Sequence, residues 1–430
     1  MLRPPLRWTE RLAARYGDTF QVRLLGPSYQ ADHSWRALLP RTIVVLSRPE
    51  HLRELFSRSR DEFLAGQAYE FLSWHVGDDA IMVLDGAAHR RERHELQAIV
   101  HHPGILDAYE RATRDSLRRS FASWPDQGTL ELQPGITRAV LDAGLRCIFG
   151  ALSPAELTRL RELAVQGAAA NAVPTAITLL PWLRRAQGRY GGAGRVRRAI
   201  ARFDEFVGQR LADPPVGGCM LDVFRTPATG SLSGEESRRI AQRIRLGMAG
   251  FWATGVAAVW LCYHVVRDPA AFERVREAAL REDLSGTAYL DAACREALRL
   301  NLPFRGAFRR VARSTSLAGI ALGEGTLILP HYGLTHRRPD LYPEPLRFRP
   351  ERFLERSFAP EEFAPFGGGS RRCTGEQLAL LQLRLLLTEL VRAFELRPAR
   401  PWRTVERRRA VMILPQDPLP AVLRRRKRPA

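Results

Sequence analysis

The rhythm of hydrophobic and polar positions changes along this chain, and the changes mark its elements. Residues 19–24 (TFQVRL) and 41–46 (RTIVVL) read as short strands, and 49–56 follows as a short helix between turns. From Glu92 onward apolar residues recur three and four apart, so 105–124, 137–149, 154–166 and 192–212 are expected to be helices. A much longer helix opens at Ser233, a capping residue followed by Gly234, Glu235 and Glu236, and closes at Asp268-Pro269. At about 1.5 Å per residue it spans about 45 Å, the width of a whole domain. Its middle, 248–263, is apolar on every face, which predicts burial at the centre of the body. A helix over 287–300 leads into a Gly/Pro-rich meander, 308–366, with a strand-like piece at 325–329. The last helix, 375–394, carries Leu378, Leu381, Leu385 and Leu386 on one face. The pattern is that of a mainly α protein with a small β lobe within residues 1–60, built as one domain over 1–430.

Composition narrows the function classes. The first forty residues carry charges throughout, which excludes a secretory core or a membrane anchor there and points to a cytoplasmic protein without a membrane span. The uncharged run 163–183 contains Gln166, Asn171, Pro174 and Pro181, so it reads as a helix-loop-helix cover. Five cysteines with no CxxC pair suggest neither a zinc knuckle nor a disulfide framework. A net charge of +20, mostly from arginine, permits docking on an acidic protein, but its spread along the chain fits a solvated surface and not a nucleic-acid site. The stretch 421–430, rich in arginine, reads as a frayed basic tail.

One loop concentrates the chemistry: Phe366-Gly367-Gly368-Gly369-Ser370-Arg371-Arg372-Cys373-Thr374-Gly375. A metal-binding thiolate needs shelter and backbone hydrogen bonds, which glycines allow by close approach and unusual dihedrals. The helix beginning at Gly375 turns its positive end toward the sulfur, which favours the thiolate. Separately, Glu296 and Arg299 lie three apart on a helix and share a face.

FxxGxRxC followed by glycine resembles the heme-binding loop of the cytochrome P-450 superfamily, especially its soluble bacterial members. The resemblance implies the family's triangular, mostly helical fold with a smaller sheet lobe, and heme b as cofactor. By that likeness Cys373 is the axial iron ligand, Arg371 meets a heme propionate, Phe366 packs beside the sulfur, and Gly375 closes the loop. Thr374 departs from the small apolar residue usual there. Glu296-Ala297-Leu298-Arg299 matches ExxR, and Phe348-Arg349-Pro350-Glu351-Arg352-Phe353 resembles the segment whose second arginine completes a buried cluster; Glu296, Arg299 and Arg352 are then structural. His89 and Arg93 match the HxxxR pair that reaches the propionates from the opposite side, and Arg310 matches a strand arginine with the same task.

The central helix departs from the family. Where an acid and an alcohol normally follow A/G-Gly-x, this chain has Ala249-Gly250-Phe251-Trp252-Ala253-Thr254. Trp252 and Ala253 cannot carry protons to bound dioxygen, and Thr254 comes one position late. The resemblance therefore implies a heme-thiolate monooxygenase of an apolar small molecule, in secondary metabolism or lipid breakdown, with a ferredoxin-type or flavodoxin-type donor and its reductase; Arg371, Arg372 and Arg384 are candidates to attract an acidic donor. It leaves open a substrate hydroxyl or water in place of the alcohol, a peroxygenase, an isomerase or dehydratase, or a non-catalytic partner protein. Phe251 and Trp252, with Tyr69, Phe71 and Trp74 from 65–83, are expected to wall the substrate pocket.

Overall fold

A computed structural model describes residues 5–25, 40–58, 61–168, 192–215, 217–225, 232–281, 283–402, 406–409 and 412–427. The expected cover over 163–183 lies largely outside them. The N-terminal part forms α1 (Pro5–Tyr16), β1 (Thr19–Leu25), β2 (Pro40–Leu46), α2 (Pro49–Ser57), β3 (Phe63–Leu64) and the one-turn helices α3 (Gly66–Tyr69) and α4 (Ser73–Val76). Then come α5 (Gly86–Val100), α6 (Pro103–Ala122), β4 (Gln127–Glu131), α7 (Leu132–Phe149), α8 (Pro154–Ala168), α9 (Gly192–Ala212) and α10 (Met220–Arg225). The long helix is α11 (Gly234–Arg267), followed by α12 (Pro269–Leu280) and α13 (Leu284–Leu300). The meander supplies β5 (Arg309–Val311), β6 (Thr315–Leu317), β7 (Ile320–Leu322), β8 (Leu327–Pro330), α14 (Tyr332–Thr335) and α15 (Arg352–Glu355). The chain ends in α16 (Glu376–Ala393), β9 (Phe394–Pro398), β10 (Glu406–Arg409), β11 (Met412–Pro415) and β12 (Pro420–Arg425).

The start of α11 follows the sequence signal closely. Ser233 accepts from the Glu236 amide at 3.2 Å, while the Glu236 carboxylate accepts from the Ser233 amide at 2.8 Å, a complete capping box. From Thr254 to Val266 every residue of α11 is buried, against α7, α16, α13 and β11. Trp260 is fully enclosed and its indole N–H donates to the Ile413 carbonyl at 2.8 Å. It is the one described helix long and apolar enough to cross a bilayer, and 67% of its apolar window is buried in protein, which makes it a core helix.

The N-terminal strands do not form a lobe by themselves. β1 and β2 are completed by β8, β5 and β3 in the order β1-β2-β8-β5-β3, with β2 parallel to β8. Two readings of the sequence need correction here. The segment after Asp268-Pro269, left without an element, is α12, whose first turn Asp268 caps through the amides of Ala270 and Ala271. Much of the supposed frayed tail 421–430 is β12, the middle strand between β4 and β9, where Ala421 and Leu423 are buried. Charge hid it: Arg424, Arg425 and Arg426 reach Glu395, Asp126 and Glu273, while alternate positions supply the apolar face.

A third correction concerns Phe251. Its ring is buried, stacks on Tyr109 at 6.1 Å between centroids, and fills the notch left by Gly144 of α7. A methyl group at position 144 would overlap that ring. Gly144→Ala is therefore expected to destabilise the protein by about 1–3 kcal/mol despite the better helix propensity of alanine. Urea unfolding measures this; an unchanged midpoint would count against the notch.

Candidate active site

The loop before α16 is shaped by its glycines. Gly367 and Gly369 have φ of 73° and 59°, a region that side chains disfavour. Gly368 and Gly369 lie flat against Phe56 of α2, where a Cβ would strike the Phe56 ring or its backbone. So pinned, the loop returns on itself, and the Cys373 amide donates to the Phe366 carbonyl at 2.9 Å. Phe366 packs half-buried against the main core, and Gly375 is the N-cap of α16. Cys373 keeps an exposed surface, while the rest of the residue is enclosed by protein. Burial raises its thiol pKa, opposed by the Gly375 amide and Arg93. The helix end alone does not make it a thiolate; ionisation calls for a cation against the sulfur.

Arg309 and Arg371 line one small cavity together with Arg58, Gly368, Ser370 and Phe56. Arg310, the residue singled out in the sequence, is its strand neighbour and sits beside Gly325. Side chains alternate along β5, so a one-residue shift exchanges the two faces. Arg371 donates to the Leu84 carbonyl at 2.8 Å and pairs with Asp85. His89 is buried on α5, and one turn on Arg93 donates to the Arg372 carbonyl at 2.7 Å, joining α5 to the cysteine loop. Of the other arginines expected to face a partner, Arg372 pairs with Glu376 and Arg384 with Asp291, while Arg371 points inward with 11% of its side chain exposed.

Glu296, Arg299 and Arg352 come together as a buried cluster. The Glu296 carboxylate accepts from Arg299 at 2.7 and 2.8 Å, from Arg352 at 3.0 Å and from the Arg349 amide at 2.9 Å. Arg299 also donates to the carbonyls of His336 and Pro345 and lies over the Tyr342 ring. Glu296 and Arg299 are thus partnered throughout, the condition for burying an ion pair, while Arg352 bonds through Nε and Nη1 and its Nη2 has no hydrogen-bond partner.

On α11 the buried pattern breaks at one stripe. Leu246, Ala249, Gly250 and Ala253, spaced as one helix face, are exposed or half-exposed, and a Cβ at Gly247 or Gly250 would meet nothing within 4 Å. Open space borders the helix here. Ala253 stands on that stripe, Trp252 is half-buried between the two large core clusters, and Thr254 is buried with its hydroxyl donated to the Gly250 carbonyl at 3.0 Å. Of the expected pocket aromatics, Tyr69 accepts at its hydroxyl from the Phe308 amide at 2.9 Å, while the side chains of Phe71 and Trp74 lie outside the described ones. The sequence reading also missed a tie between α11 and α5: Arg243 donates to buried Glu92 at 2.7 and 2.6 Å.

The cytochrome P450 family model matches residues 229–420. A putative cytochrome P450 135A1 of Mycobacterium tuberculosis is 30% identical over 400 residues, covering 90% of this chain and 83% of that protein. The chain belongs to the cytochrome P450 family. Further cytochrome P450 relatives are similar over nearly the full length: a putative cytochrome P450 138 of the same species is 27% identical over 97% of this chain and 91% of its own. Among solved structures, a retinoic acid-bound cyanobacterial CYP120A1 superposes with a TM-score of 0.80 over 99% of this chain and 95% of that one, at 23% identity, a likeness of fold. Cytochrome P450s are heme-thiolate proteins and typically monooxygenases. The donors in this cytochrome P450 fit that group: a single exposed thiol in a glycine-pinned loop, and Arg309 and Arg371 lining one cavity beside that loop, where planar guanidinium suits paired carboxylates.

Proposed function

We propose that Cys373 holds the iron of heme b, that Arg309 and Arg371, with His89 and Arg93 from α5, hold its propionates, and that the protein monooxygenates an apolar small molecule. When bound, the heme supplies dioxygen activation, with electrons from a separate ferredoxin-type or flavodoxin-type donor. The chain's own residues shelter the sulfur, orient the porphyrin edge, and leave room beside Gly247, Gly250 and Ala253 for substrate. The single observation that supports this most is Cys373, exposed in a glycine-pinned loop joined to α5 through Arg93. The test is the reduced, carbonyl-treated spectrum: a thiolate-shifted Soret band is expected, and its absence overturns the assignment. Monooxygenation is tested with isotopically labelled dioxygen, whose oxygen should enter the product when reductant is supplied.

A second reading has its own support. Ala253 offers no proton, Trp252 cannot titrate, and the Thr254 hydroxyl is committed to the Gly250 carbonyl. A protein so equipped suits chemistry that needs no distal proton relay, by an oxidant already at the peroxide level or by isomerisation or dehydration without dioxygen. Unlabelled product formed without reductant would favour it. Under the first reading, Ala253→Thr places a hydroxyl on the open stripe and should raise the fraction of consumed reductant recovered as product several-fold. Unchanged coupling would show that protons arrive by another route.

A further inference from the structure

Asp85 does something that its position in the chain does not require. It is the N-cap of α5, extended at φ −126° and ψ 174°, where an aspartate ordinarily accepts from its own helix's first amides, yet it makes no such bond. Its carboxylate instead accepts from the amides of Gly66 and Gln67, both at 2.9 Å, at the start of α3, and pairs with Arg371 of the cysteine loop. The approach is close: a Cβ at Gly66 would stand 2.5 Å from the Val83 carbonyl and 2.7 Å from the Asp85 carboxylate. The far end of α3 is tied as well, since Tyr69 accepts from the Phe308 amide, next to Arg309. The one-turn helix α3 is thus fastened at its start to Arg371 and at its end to the residue preceding Arg309, and those two arginines line a common cavity.

We propose that Asp85 is a positioning residue: it fixes the Arg371 guanidinium at the heme edge and registers α3 to the cysteine loop, so that displacement of α3 by a ligand is felt at that arginine. The inference rests on the heme assignment above only for the word heme; the clasp among Asp85, α3 and Arg371 stands on the protein alone. Arg371 is held from three sides, by Asp85 and by the carbonyls of Leu84 and Ile81, with only 11% of its side chain exposed. Loss of the carboxylate leaves two amides and a guanidinium to find other partners.

The full-length protein with Asp85→Asn, Gly66→Ala, Arg371→Lys and the Asp85→Asn/Arg371→Lys pair is the material for the test. Amide exchange across residues 66–69, followed by mass spectrometry with and without added heme, should quicken about tenfold in Asp85→Asn and in Gly66→Ala. Gly66→Ala forces the clasp apart without altering a charge. Because Asp85 and Arg371 act through one contact, the double variant should exchange no faster than the sum of its singles allows, and measurably slower than additivity predicts. In the heme-loaded protein, Asp85→Asn should move the iron midpoint potential positive, since a carboxylate near the porphyrin edge has been neutralised, an effect that a purely structural residue would not produce. Unchanged exchange at 66–69, or additive singles, overturns the clasp. An unchanged midpoint potential overturns its reach to the heme edge. If wild-type protein takes up no heme, the functional assignment fails, while exchange in heme-free protein still decides for or against the clasp.

Discussion

Cys373→Ser is expected to abolish the thiolate-shifted carbonyl band entirely and to reduce turnover with dioxygen to background. Serine preserves the size of the side chain and the Cys373 amide bond to the Phe366 carbonyl, so the loop has no reason to unfold. The change is chemical: a hydroxyl does not ionise where burial already raises the thiol's own pKa, and only a soft, polarisable sulfur donates enough electron density to iron for cleavage of dioxygen. Urea unfolding of the heme-free variant should match wild type within about 1 kcal/mol, as for a residue whose replacement leaves no cavity and strands no charge. A variant that still gives the shifted band would place the iron ligand elsewhere.

Glu296→Ala is expected to have the largest effect on stability of any single change considered. It removes the acceptor shared by Arg299, Arg352 and the Arg349 amide, leaving two guanidinium groups, 0% and 3% exposed, without their counter-charge. Breaking a buried pair in this way costs about 3–5 kcal/mol, a large fraction of what a typical domain has. Soluble yield and the urea midpoint should both fall sharply, and little heme should be retained on purification. Arg299→Lys should recover only part of the loss relative to Arg299→Ala, because an ammonium cannot match the fork that reaches Glu296, His336 and Pro345 together. A Glu296→Ala protein as stable as wild type would mean that the cluster is dispensable.

Elements whose signals are local were legible in the sequence. The capping box at Ser233, the all-round apolar middle of α11, and the glycine run before Cys373 each state a conformation within a few residues, and the structure follows them. Which of Arg309 and Arg310 shares a cavity with Arg371 was not legible, because a three-residue strand gives no alternation long enough to tell its faces apart. Phe251 belonged to the same class of question: only the notch at Gly144, more than a hundred residues earlier, determines which way the ring points. Nothing local to Asp85 announces that its carboxylate serves α3 and Arg371. Arginine density misled in the last segment, where charge on one side of β12 concealed the buried residues on the other.

The placement of β12 has a consequence for how the molecule is made. This strand lies between β4, which precedes it by nearly three hundred residues, and β9. During synthesis from the N-terminus, residues 127–131 therefore emerge long before the strand they pair with, and the sheet cannot close until residues 420–425 have left the ribosome. Until then β4 has an open edge, and a ribosome stalled in the last stretch would hold a nascent chain with its helices largely translated and that seam still unsewn.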